Sequence, residues 1–90
     1  MHIVNVEIYS DDTKRVVMRH PGRRFPGILL QGDSLHTMCA TADRICAAAR
    51  KSLDRDAYKD LNELRNGLWA YLDAYKRTLL EHNVPMPFSE

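Results

Sequence analysis

Ninety residues, 44% of them hydrophobic, 28% charged and 8% aromatic, make one small domain, since a second core needs roughly another 100 residues. A multidomain enzyme is therefore not expected, while burial of about 60–68% of the extended-chain surface suffices for one modest core. Thirteen basic against twelve acidic side chains leave a net charge of +1, so no global field draws the chain to nucleic acid or to an anionic membrane.

The N-terminal MHIVNVEIYSDD places Glu7 and Asp11 ahead of any apolar run of signal-peptide length, and no window approaches the roughly 18 apolar residues of a membrane span. A cytoplasmic protein with no membrane partner is expected. Residues 3–9 alternate Val4, Val6 and Ile8 with Ile3, Asn5, Glu7 and Tyr9, the period of a half-buried strand. Ser10, Asp11, Asp12 and Thr13 read as a turn, and the β-branched run within 14–19 completes a hairpin before His20-Pro21-Gly22 breaks it. Ile28-Leu29-Leu30 give a third strand, expected over 25–31.

Asp33 or Ser34 is positioned to cap a first helix, expected over 34–51, with Leu35, Met38, Ala42, Ile45 and Ala49 as its apolar stripe. Cys39 and Cys46 lie seven residues apart on it, about 10.5 Å between Cα atoms, too far to bridge each other. They read as small core hydrophobes in a reducing compartment. Polar cap candidates at 52–56 precede a proline-free helix expected over 55–82, with Asn83 suited to the left-handed stop and Pro85 forbidding continuation. An extended tail over 84–90 should tuck Phe88 against the body. The expected architecture is a single α+β domain over 1–90: an antiparallel hairpin and a third short strand, packed against two antiparallel helices in the order β-β-β-α-α.

At about 100° per residue the second helix gathers Ala57, Leu61, Leu64, Leu68, Tyr71, Leu72, Tyr75 and Leu79 into one core-facing arc. Tyr58, Trp69 and Leu80 widen the apolar and aromatic surface to nearly half the circumference, with Arg65 and Lys76 among them. Tyr58, Arg65, Trp69 and Lys76 are therefore candidates for a partner contact, partly exposed in the isolated subunit and covered by a second copy or another protein, because Tyr, Trp and Arg dominate interface energetics. The competing reading makes Trp69 a peripheral core residue with Arg65 stacked over it.

The chain contains no GxGxxG, GxxxxGK[ST], HExxH, CxxC or GxSxG, so no catalytic residue and no cofactor are assigned. His36, Cys39, Asp43 and Cys46 fall on one side of the first helix, but the outer two stand about 15 Å apart along its axis, so at most His36, Cys39 and Asp43 can meet one metal. Buried thiols beside a capping-region histidine and a solvated aspartate explain so ordinary a spacing better, and no metal is assigned. Lys14, Arg15, Arg19, His20, Arg23 and Arg24 form a locally basic segment. Arg23 and Arg24, between two Pro-Gly elements, are its best polar contacts, for an anion or an acidic protein surface. Interleaved aromatics other than Phe25 are absent, so nucleic acid is not the expected ligand.

The run Pro26-Gly27-Ile28-Leu29-Leu30-Gln31-Gly32-Asp33-Ser34-Leu35 resembles the strand-to-helix junction of HicB-type antitoxins, where a similar Pro-Gly and Gln-Gly-Asp-Thr-Leu element ends the sheet and opens the helix. Here Gly32 would permit the turn, Asp33 or Ser34 the cap, and Leu35 the first buried position. His36, Thr37 and Met38 depart from that pattern, and no DNA-binding domain follows within this sequence. The chain as a whole, with its RHPGRRFPG segment, resembles a small bacterial domain of unknown function. The resemblance implies a non-catalytic, cytoplasmic, antitoxin-like protein-binding module that inhibits a bacterial toxin by occlusion and forms homodimers; a neutral, compact chain without a catalytic motif equally suits an immunity-protein-like partner of a secreted toxin. The alternatives are a metal-dependent or thiol-based small enzyme using His36, Cys39 and Asp43, and an anion- or nucleic-acid-binding regulator built on Arg23 and Arg24.

Overall fold

The computed structural model describes residues 1–12 and 15–89, with β1 (Glu7–Asp12), β2 (Arg15–Arg19), β3 (Gly27–Leu29), α1 (Gly32–Ala49) and α2 (Arg55–Glu81). Three antiparallel strands and two helices make the α+β fold in the expected order. The sheet belongs to one compact unit, Met1–Gln31, and the helices to a second that begins at Gly32.

The sheet order is β1-β2-β3. β1 begins four residues later than expected and continues through Ser10, Asp11 and Asp12, which read as a turn by composition. β2 sets both limits. Glu7 pairs with Arg19, and beyond Arg19 comes His20-Pro21, whose proline has no N–H to donate, so the alternation of Ile3–Val6 finds no ladder to join. At the other end Asp12 lies opposite Arg15, where opposite charges favour pairing. Tyr9 is an extra residue between the pairs Ile8–Met18 and Ser10–Val17, a β-bulge that shifts the register by one. Thr13, expected in the turn, and Lys14, expected to open the second strand, lie outside the described residues. β3 is three residues rather than the seven expected, because Pro26 cannot donate and Leu29 already pairs with Val16, one residue from the start of β2.

Both helices form, with shifted ends. α1 runs over Gly32–Ala49 rather than 34–51, and α2 over Arg55–Glu81 rather than 55–82. Eighteen and twenty-seven residues, half of the chain, are thus helical. Asp33 falls inside the first turn of α1, where its Oδ1 accepts from the Ser34 N–H at 2.8 Å. Gly32 does not take positive φ; it is buried, and a Cβ there would overlap the Tyr75 ring of α2, so the glycine serves close approach rather than a sharp turn. Of the polar candidates before α2, Asp54 is the N-cap, accepting from the Ala57 N–H at 2.8 Å. The far end is a Schellman motif. Asn83 takes φ 55°, its N–H donates to Leu80 O at 3.3 Å, and the Val84 N–H donates to Leu79 O at 2.9 Å.

The helices pack as the expected antiparallel pair, since Gly32 meets Tyr75 while Asp43 meets Arg65 and Trp69. Their core is Leu35, Cys39 and Leu72, joined by the partly buried Leu68, Trp69, Tyr75 and Phe88, and Cys46 is buried as well. The buried stripe of α1 is therefore Leu35, Cys39, Cys46, rotated from the expected Leu35, Met38, Ala42, Ile45, Ala49. Met38 and Ile45 are exposed. The smaller thiols face α2 because they let the helices approach, and that rotation also aims Asp43 at α2. On α2 the expected arc is corrected in the same sense: Leu64 and Tyr71 are 62% and 71% exposed, while Trp69 packs against the core. Beyond the Schellman turn, Phe88 stacks on His36 at 4.2 Å between ring centroids and lies 6.4 Å from Tyr75.

Candidate functional site

One side of the helical pair is organised by Asp43. Its Oδ1 accepts from Arg65 Nε at 2.5 Å and from the Trp69 indole N–H at 3.0 Å, and Arg65 Nη1 also reaches Asn66 Oδ1 at 3.1 Å. The Arg65 hydrogen bond first and the Trp69 N–H second hold the Asp43 carboxyl below the usual carboxylate range, and Asp43 in turn holds the Arg65 guanidinium high. Lys76, not Arg65, is the cation over the Trp69 ring, with Nζ 5.5 Å from its centroid. The four sequence candidates Tyr58, Arg65, Trp69 and Lys76 are all half-buried. Three of them, Arg65, Trp69 and Lys76, form one connected group whose polar atoms are largely spent within the helical pair.

The trio His36, Cys39 and Asp43 is likewise committed elsewhere. His36 lies against Phe88, Asp43 is occupied as above, and Cys39 is fully buried, its thiol pushed up first by burial and then by the Asp43 and Asp73 carboxylates. Among the described residues no group of three or more metal-ligating side chains is assembled.

The opposite side of the pair is a different surface. Thr37, Met38, Thr41, Ala42 and Ile45 of α1 and Leu61, Leu64 and Leu68 of α2 line a groove of about 330 Å³ without a charged side chain. Met38 is 45% exposed, Ile45 49% and Leu64 62%. Sequence periodicity placed all three in the core, since it cannot tell an apolar stripe facing a neighbour from one facing outward. The sequence stripes thus contain Met38, Ala42, Ile45, Leu61, Leu64 and Leu68 of the groove, but as core rather than as a site.

On the sheet, Arg23 and Arg24 lie in the turn between β2 and β3. The turn is fixed by its backbone: the Arg23 N–H donates to His20 O at 2.9 Å, the Gly22 N–H to His20 Nδ1 at 3.0 Å, and Arg19 Nη1 to Arg23 O at 2.9 Å. Arg19 is itself paired with Glu7 across the ladder, which holds its guanidinium high. Arg24 sits 5.4 Å from the Phe25 centroid. Met18, His20, Arg23, Phe25, Gly27, Ile28 and Leu29 line a second cavity of about 360 Å³.

No helix among the described residues is long and apolar enough to cross a membrane. No curated protein and no solved structure matches the chain. The model of a family of unknown function, DUF6959, matches residues 1–88, and the chain belongs to that family.

Proposed function

We propose that this chain is a protein-binding module of antitoxin or immunity type, non-catalytic and cytoplasmic, that inhibits a bacterial toxin by occluding it. The observation that carries the reading is the uncharged groove between α1 and α2, where Met38, Ile45 and Leu64 offer apolar area to a partner. Exposed apolar patches of this kind mark association surfaces. The likeness of residues 26–35 to the HicB-type junction supports the antitoxin class. The metal-dependent alternative is disfavoured because Cys39 is fully buried with its thiol pushed up, and among the described residues no three ligating side chains are gathered. A cytoplasmic setting keeps Cys39 and Cys46 reduced.

The test is co-expression with the product of the adjacent gene. Stoichiometric co-purification with rescue of growth is expected; a toxic neighbour whose toxicity persists and which forms no complex contradicts the reading. Sedimentation of the chain alone tests the remaining occupant, since a concentration-dependent dimer abolished by Leu64→Glu makes a second copy the groove's partner.

A further inference from the structure

We propose that the open edge of β3 and the adjoining basic turn form a second binding surface, which takes an extended, acidic peptide segment of a partner protein as an added strand. Three observations converge on residues 20–31. β3 is an edge strand, and the backbone N–H and C=O groups that it turns away from β2 have no backbone partner among the described residues. Its shortness and Pro26 limit this edge, but Gly27, Ile28, Leu29 and Leu30 carry no charge, and Ile28 is 72% exposed.

The cavity of about 360 Å³ is lined from β2, the basic turn and β3, with Met18, Phe25, Ile28 and Leu29 supplying its apolar lining and His20 and Arg23 its polar rim. Alternate side chains of an added strand fill such pockets while the main chain supplies the ladder. Charge selects the occupant. Neither Arg23 nor Arg24 makes an ion pair among the described residues, whereas Arg19, deeper in the sheet, is already matched by Glu7. A second copy adding its own β3 brings no carboxylate within residues 23–31 to meet Arg23 and Arg24. A foreign strand bearing carboxylates at the turn end supplies the missing anion, and bidentate guanidinium–carboxylate pairing rewards it. The surface shares no residue with the helical groove, so either reading can fail without the other.

Selection from a displayed library of random nonapeptides tests the proposal, with the full chain as bait. Enriched peptides should be free of proline, alternate apolar with polar residues, and carry Asp or Glu at one end. Synthetic versions should lose at least tenfold in affinity when main-chain N-methylation blocks the ladder, and weaken as salt is raised. The variant Arg23→Glu/Arg24→Glu, with helix content unchanged by circular dichroism, should select Lys- or Arg-bearing peptides instead. No enrichment, enrichment indifferent to the charge swap, binding that tolerates N-methylation, or a concentration-dependent dimer dissolved by Ile28→Lys overturns the proposal. The co-expression experiment with Leu64→Glu reads the helical groove alone.

Discussion

Asp43 shows how one side chain decides the rotation of two helices. Its two donors come from α2 positions four residues apart, so α1 must present the Cys39–Cys46 face to α2 for both bonds to form. Because the folded-state pKa of Asp43 lies below its unfolded value of about 3.9, its stabilising effect is fully present well above that value and is lost as pH falls through the folded pKa. Wild type should therefore be more resistant to urea than Asp43→Asn near neutral pH, with the gap narrowing below about pH 4. A gap independent of pH contradicts the ion pair as its source. Trp69→Ala removes both a core contact and an Asp43 donor and should cost about 3 kcal/mol of folding stability, read from chemical denaturation. Gly32→Ala gains helix propensity but collides with Tyr75, a net loss of about 1 kcal/mol, and Gly32→Ala/Tyr75→Leu should recover it. A stabilised single variant would show the ring to be free to move.

At the scale of elements, the helix ends were readable because capping chemistry is local. Asp54 and Asn83 carry their roles in their side chains and neighbours, whatever the rest of the chain does. Asp54→Ala should lower stability by about 1 kcal/mol, while Asn83→Gly should be neutral or slightly stabilising and Asn83→Val destabilising by about 1 kcal/mol, since only glycine takes the left-handed position without strain. Equal thermal midpoints for the glycine and valine variants would contradict the Schellman end. The strand limits were less readable because a ladder needs a partner: Ile3–Val6 alternate well but face the stop at Pro21, and Ser10–Asp12 look like a turn but find Val17, Val16 and Arg15 opposite. The helical core was misread for a related reason. Cys39 and Cys46 are buried as expected, but Met38, Ile45 and Leu64 are not, because close approach of the helices favours the smaller side chains and nothing local marks Asp43 as the group that fixes the rotation.

At the scale of the whole molecule, the candidate residues sort into three surfaces: the Asp43–Arg65–Trp69–Lys76 side, bound up within the helical pair; the uncharged groove on its other side; and the basic turn beside the β3 edge. The basic turn was legible from Arg23-Arg24 and its Pro-Gly flanks, but the groove became a site only once the helices were placed. The claim that the groove is the principal binding surface is tested most directly by co-purification of the adjacent-gene product with wild type, with Leu64→Glu, and with Ala70→Glu as an exposed substitution elsewhere on α2. Circular dichroism should be the same for all three. Partner recovery is predicted to be stoichiometric with wild type and with Ala70→Glu and to fall at least tenfold with Leu64→Glu; undiminished recovery with Leu64→Glu, or none with wild type, contradicts it.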